Sequence, residues 1–292
     1  MEISEEKRPI KNEIPDEIMM KVSSFPSMPG AGMKLRTLLA KEDVSMDEIV
    51  EILRHDPGLS TNVLRLANSS FFGVPRKVET LKHAVMLLGI KRFAQIAVSA
   101  SMSKTMDKAV EGYDQSSGEL WLHSIAVSTT AEALARHKKF AETNDFFTPA
   151  LLHDMGKLVL GEFVKKELQK IQSIMAKGVP LAIAENMVLG TDHAEIGALI
   201  LGKWSFPSDL VNAVRWHHNP ERNKNSTMKS DMVYLSNLMC QPHGDSDSAD
   251  GQFITPSSIV LDRLGIKLEQ YEVIAAKALN WMKKLSDTLT FD

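Results

Sequence analysis

Leu151-Leu152-His153-Asp154-Met155-Gly156-Lys157 is the stretch on which the reading of this chain turns. An apolar run ends in an adjacent histidine and aspartate, followed by glycine and lysine. An imidazole and a carboxylate on consecutive residues at a helix end can reach one metal ion and offer it mixed nitrogen and oxygen donors. Such donors suit divalent zinc, iron, manganese or nickel. Chance alone gives roughly one such pair in a chain of this size, and His55-Asp56 is a second one here. The company each pair keeps separates them.

Helical periodicity surrounds the stretch. Leu120 to about Lys138 reads as one long helix, and Phe147 to Leu160 carries the His-Asp pair. Two helices flank Gly178-Val179-Pro180. Thr191-Asp192 caps a helix running to Trp204, Phe206-Pro207 breaks it, and Pro207 to His217 continues as another. Asn219 to Ser230 is polar and loop-like, a helix follows over Met232 to Met239, and Gln241 to Gly251 has the Asp, Ser and Gly content of a mobile loop. Leu268 to Leu285 closes the chain as an amphipathic helix.

Upstream, Ser45 and Glu48 form a capping box ahead of Met46 to Leu53. Asp56 caps and Pro57 opens a helix through Leu59, Val63, Leu64 and Leu66. Asn68-Ser69-Ser70 and Gly73-Val74-Pro75 make a loop, and Gly89 breaks two helices, the second running from Lys91 to about Met106. The glycine-bearing polar stretch Asp107 to Glu119 is the best boundary. With no repeat and no sheet pattern, the expectation is an all-α, multi-helix bundle. An N-terminal helical subdomain over 15–115 packs on a second helical subdomain over 116–292.

Composition sets limits. The 292 residues carry a net charge of −3 and no long basic run, which argues against strong non-specific nucleic-acid binding, so no DNA partner is expected. The single cysteine, Cys240, lies in an apolar stretch, excludes an internal disulfide framework and fits a reducing compartment as a buried thiol. Met1 to Pro15 has no secretory signal pattern, and no segment is apolar for long enough to span a membrane. A cytoplasmic protein is expected. The 16 methionines read as core filler rather than as a partner groove.

The histidines beyond the boundary fall on separate helices. His123 is early in a long apolar helix, His153-Asp154 ends the next apolar run, His193 opens a helix, and His217-His218 ends the one after. Asn237 lies in the following helix. Metal sites in helical proteins are assembled this way, from side chains of facing helices. The plainer readings differ by residue. His123 could be a satisfied core histidine, Asp192 with Glu195 has capping spacing that would leave His193 merely in a first turn, and Lys157 could be a surface lysine. His55-Asp56 has no partner histidines and reads as structural, with Asp56 a helix cap.

This order of residues resembles the HD superfamily of metal-dependent phosphohydrolases over roughly Leu120 to Leu285. The resemblance implies metal ligation by His123, His153 and Asp154, and by His193, His217 and His218 in members that hold two ions. The last acidic ligand falls near Asn237, whose amide oxygen is neutral and a poorer ligand. The first half sharpens the likeness. Asp56-Pro57-Gly58-Leu59-Ser60, Leu64-Arg65-Leu66-Ala67-Asn68-Ser69-Ser70-Phe71-Phe72-Gly73 and Leu81-Lys82-His83-Ala84-Val85-Met86-Leu87-Leu88-Gly89 are similar to the HDOD family, and Ser27-Met28-Pro29 fits too.

The HDOD resemblance implies a helical signalling or regulatory protein; many members have lost the metal residues, and this chain keeps most of them. It implies one or two divalent transition-metal ions as cofactors, and either a signalling protein partner or a nucleotide or other phosphate ligand. As an alternative it implies a phosphohydrolase, with Asp154 and Lys157 as the catalytic pair and Lys157 neutralising a phosphate oxygen. The related HD-GYP phosphodiesterases follow their His-His pair with a Gly-Tyr-Pro loop. Here His217-His218 is followed by Asn219-Pro220-Glu221-Arg222-Asn223, so cleavage of cyclic diguanylate is not supported.

Overall fold

The computed structural model describes residues 14–39, 41, 43–69, 77–140, 143–223, 228–241 and 255–288, the last helix with side chains only as far as 280. The expected loop at Gly73-Val74-Pro75, the Phe71-Phe72 pair and nearly all of the Gln241 to Gly251 stretch lie outside these residues. The described residues form an all-α structure joined by short 3-10 turns.

Six helices make up the first part: α1 Asp16–Ser24, α2 Gly30–Leu39, α3 Met46–Arg54, α4 Pro57–Asn68, α5 Leu81–Leu88 and α6 Ile90–Met106. Local chemistry places their ends. Ser45 and Glu48 close the capping box on α3, Asp56 accepts from the Leu59 amide at the start of α4, and Thr80 caps α5. Gly89 separates α5 from α6 with a φ of 77°, a backbone region that favours glycine. The Asn68 side chain donates to the Val78 carbonyl and accepts from the Val78 amide, pinning the end of α4 to the chain before α5. His55 is exposed and among the described residues pairs with Glu51 alone, while Asp56 caps a helix, in keeping with a structural reading of the first His-Asp pair.

Helix α6 is buried on most of its circumference, including Gln95, Ser99, Ser101 and Ser103. The three serine hydroxyls donate to carbonyls three or four residues earlier, so the buried hydroxyls are satisfied within the helix itself.

Beyond a 3-10 turn at Glu111–Tyr113 come α7 Glu119–His137, α8 Phe147–Leu152, α9 Lys157–Lys166, α10 Leu168–Met175, α11 Leu181–Leu189, α12 His193–Lys203, α13 Ser208–Arg215, α14 Met228–Cys240, α15 Ser258–Leu264 and α16 Leu268–Thr288. Helix α7 is central, packed by α8, α14 and α16, while α12 packs on α13 and α9. Its buried face carries Trp121, Ile125, Val127 and Leu134. Cys240 is buried beside the Thr130 hydroxyl, as a structural thiol should be.

Helix α14 begins four residues earlier than the sequence suggests. Met228-Lys229-Ser230 looks polar, but Lys229 pairs with Asp209 and the buried Ser230 hydroxyl accepts from Asn223. These tertiary partners outweigh local polarity.

One hydrophobic core runs through both parts, from Ile18 to Ala278. Helix α1 leaves its sequence neighbours to pack on α9 and α12. There Lys203 of α12 donates to the carbonyls of Val22, Ser23 and Phe25, and the Trp204 indole donates to the Pro26 carbonyl at 3.1 Å.

The parts also meet through a buried ion pair between Arg92 of α6 and Glu132 of α7, the glutamate having no exposed surface. Burial, with some help from Arg136, lowers the Arg92 pKa to about 10, so the guanidinium is still charged at neutral pH. Arg92→Met strands the Glu132 carboxylate in the core and is expected to cost about 3–5 kcal/mol of unfolding free energy in urea titrations. Arg92→Met combined with Glu132→Leu removes the stranded charge and should recover most of that loss.

Candidate metal centre

Helix α8 stops at Leu152 because the next four residues, His153 to Gly156, form turns before Lys157 opens α9. The turn aims two consecutive side chains into the interior. Gly156 makes this possible. A Cβ there would lie 1.9 Å from the His193 carbonyl oxygen and 2.6 Å from the Gly197 amide nitrogen. The turn therefore touches the backbone of α12, whose first residue is His193, and this contact seats His193 beside Asp154.

The donor atoms converge on Asp154, which is 1% exposed. Its Oδ2 lies 3.3 Å from His153 Nε2, 3.7 Å from His123 Nε2 and 2.7 Å from Lys157 Nζ. Its Oδ1 lies 3.4 Å from His193 Nε2 and 3.8 Å from His217 Nε2. Two ligand groups result, His123–His153–Asp154 and Asp154–His193–His217–His218, with donor atoms in each within 4.8 Å of one another.

Backbone and carboxylate partners orient the rings. His153 Nδ1 is 2.7 Å from the Ala150 carbonyl and His217 Nδ1 is 2.7 Å from the Val214 carbonyl. A carbonyl only accepts, so each Nδ1 carries the hydrogen and each Nε2 presents a lone pair to the cluster. Those two Nε2 atoms and Asp154 Oδ1 are buried without a hydrogen-bond partner. Three orphaned acceptors facing one another fit a divalent cation, and their chemistry is that of a nitrogen and oxygen donor set. His193 Nε2 and His218 Nε2 lie 2.7 Å apart, a separation that needs a proton or a cation between two lone pairs.

All seven residues expected from the sequence come together. Both His217 and His218 turn inward. Asp192 caps α12 through the Glu195 amide, as its spacing suggested, and capping leaves its neighbour His193 fully available to the cluster. Asn237 on α14 places Oδ1 3.0 Å from His123 Nε2, at the outer edge of the first ligand group. Lys157 is no surface lysine. Its ammonium pairs with Asp154 and lies 5.4 Å from the centre of the Tyr113 ring.

Two residues escaped the sequence reading. Glu185 is fully buried on α11, and its Oε2 accepts from both the backbone amide and Nδ1 of His193, at 2.9 and 2.7 Å. Its signal was a lone carboxylate on the stripe of Ala182 and Leu189, the buried face of α11. Tyr113, from the 3-10 turn, sets its ring edge-on to His193 with centroids 6.0 Å apart. Nothing in its polar sequence surroundings marked it.

Electrostatics separate the imidazoles. Burial pushes His123 down to about 3, only partly offset by the Asp154 carboxylate. Burial and the neighbouring histidines hold His217 and His218 well below the ordinary imidazole value. His193 goes the other way: burial opposes its charge, but Glu185, through charge and hydrogen bond, raises it. Asp154 is penalised by burial yet held well below the carboxylate range by His153 and Lys157.

These shifts fix a pH dependence for the metal-free chain. Three imidazoles with lowered values stabilise the fold fully above the unfolded value near 6.5 and lose that contribution as pH falls, each by up to about 1.4 kcal/mol per unit. The raised His193 contributes fully below about 6.5 and loses that contribution as pH rises above it, so it offsets part of the gain from the other three, while Asp154 stays ionised. Urea unfolding in a chelator should therefore show lower stability at about pH 5 than at pH 7.5. A flat profile, or greater stability at about pH 5 than at pH 7.5, would contradict the neutral buried histidines.

The HDOD domain family model matches residues 25–220, which include every residue of the cluster except Asn237. An uncharacterized protein of Treponema pallidum (strain Nichols) is 25% identical over 201 residues, 68% of this chain. The aligned part spans only 38% of that relative's own length. Among solved structures, an HDOD domain protein with unknown function from Geobacter sulfurreducens superposes with a TM-score of 0.77 at 22% identity, over 94% of this chain and 97% of that one. A Shewanella amazonensis SB2B protein described as a "Putative phosphohydrolase" gives a TM-score of 0.72 at 24% identity, over 94% and 98%. At these identities the two structures establish the fold.

Proposed function

We propose, from the premise that this chain belongs to the HDOD domain family, that it is a regulatory protein that has kept a working divalent-metal centre. One observation carries the reading: two ligand groups share Asp154, with the Nε2 atoms of His153 and His217 buried and unpaired. A vestigial site would be expected to have filled such positions with hydrogen-bonded or apolar side chains. Among the described residues no helix is long and apolar enough to cross a membrane.

His123, His153 and Asp154 would hold one ion, and Asp154, His193, His217 and His218 a second. A divalent ion supplies Lewis-acid polarisation of a phosphoryl oxygen and activation of water. The chain's own residues supply the rest. Glu185 fixes the His193 ring, the Ala150 and Val214 carbonyls fix His153 and His217, and Lys157 holds a positive charge against Asp154 that would meet a phosphate oxygen. Asn237 adds a dipole but no charge, which makes the first group less anionic than one closed by a carboxylate.

A second reading, metal-dependent hydrolysis of a nucleotide or phosphodiester, is favoured by the half-buried position of Lys157 against Asp154 and by the likeness to the protein described as a phosphohydrolase. Elemental analysis of the purified protein, followed by a screen against nucleotides and generic phosphodiesters with and without manganese, tests both. Retained metal without turnover supports the regulatory reading and removes the hydrolase. Absence of bound iron, manganese, zinc and nickel, even after these ions are supplied, would sink both.

A further inference from the structure

The Tyr113 hydroxyl and Glu185 Oε1 are each buried, and neither has a hydrogen-bond partner of ordinary geometry. One is a donor and the other an acceptor. They belong to the same corner of the site: the Tyr113 ring stands edge-on to His193, and the other oxygen of Glu185 binds His193. A buried donor beside a buried acceptor is costly unless the two meet, and the Glu185 carboxylate faces the phenol closely enough to act on it through charge and hydrogen bonding.

We infer that Tyr113 donates to Glu185 and is thereby a positioning residue for His193, the chain Tyr113–Glu185–His193 tying the segment between the two parts of the protein to the metal centre. This rests on the metal reading above and extends it to a residue outside the ligand set.

The segment is built to hold Tyr113 still. Val110 and Gln115 pair in a short antiparallel bridge, and Asp114 takes a left-handed conformation with φ 52° to close the turn. Gly112 lies against α9 so closely that a Cβ would sit 2.1 Å from the Gly161 carbonyl oxygen. The turn is thus pressed onto the helix that begins with Lys157, and the Tyr113 ring covers the Lys157 ammonium. Burial and the nearby Glu185 charge raise the phenol well above its ordinary value, so it stays a neutral donor. A phenol held in this way suits orientation of Glu185 rather than ligation of the ion.

The test uses the full chain with Tyr113→Phe, Glu185→Gln and the double variant. Phenylalanine keeps the ring over Lys157 and removes only the hydroxyl. Cobalt(II) affinity is measured by titration, and thermal unfolding is measured separately in a chelator. Loss of an outer-shell partner costs roughly 10–100-fold in metal affinity, so Glu185→Gln should weaken cobalt binding by about that factor and Tyr113→Phe by about 3–10-fold. The double variant should be no weaker than Glu185→Gln alone. In chelator each single variant should lower the midpoint by about 2–4 °C, with the two losses less than additive.

Additive losses in chelator, or a Tyr113→Phe variant identical to wild type in both measurements, overturn the proposal. If wild type binds no cobalt, the metal reading fails, and the chelator measurements alone then decide whether Tyr113 and Glu185 are coupled.

Discussion

Asp154→Asn is expected to strip the chain of bound divalent metal at both ligand groups at once. Its two oxygens face different sets, Oδ2 towards His123 and His153, and Oδ1 towards His193 and His217. Among the described residues it is the only carboxylate in either group, so it supplies all the anionic charge the cluster offers an ion. Asparagine keeps the shape and removes that charge. The loss of affinity should exceed the roughly 10–100-fold that follows from removing an outer-shell partner. His55→Ala is the matched control, since His55 belongs to the other His-Asp pair and pairs with exposed Glu51. Elemental analysis after dialysis against a weak chelator provides the readout. Metal content unchanged in Asp154→Asn would mean that the ion sits elsewhere.

The second large effect is expected from a single methyl group. Gly156→Ala places Cβ inside the His193 carbonyl oxygen and against the Gly197 amide, and these are backbone atoms of α12 that cannot rotate away. The turn and the helix must separate, which opens the close crossing beneath the cluster and moves His193 from Asp154. The cost should exceed about 4 kcal/mol, in the range reserved for severe core disruption, and appear as a large drop in unfolding midpoint or as insoluble protein. Gly202→Ala is the contrast. Gly202 lies on the same helix, and a Cβ there would meet nothing within 4 Å. Alanine at that position should be neutral or stabilise by up to about 1 kcal/mol. Equal effects at the two positions would refute the argument from close approach.

Much of this was legible in the residues. The helices followed from apolar spacing and from caps whose chemistry is local, such as Ser45 with Glu48 and Asp56 before Pro57. Histidines on successive helices suggested a shared site, and the resemblance to the HD superfamily implied the particular ligand set. What stayed hidden depends on distant partners. Gly156 reads as an ordinary turn residue, and only its approach to α12 shows why no side chain fits. Glu185 was visible as a carboxylate on a buried stripe, but its partner, His193, lies eight residues on and one helix away. Tyr113 sits in a polar stretch that looked like a boundary, and its role depends on how that stretch folds onto α9.

The lysine and tryptophan that fasten the end of α1 to α12 have a practical consequence for dissecting the protein. The first helix in sequence belongs, in space, with the later part of the chain. A fragment cut near residue 116 would therefore leave with a bare groove along α9 and α12, and the remainder would carry a helix with nothing to lie on. The polypeptide is interleaved rather than modular, so it is better trimmed than halved. A fragment that keeps the histidine and aspartate cluster soluble must bring residues 16–26 along, as a tethered or co-expressed strand of sequence.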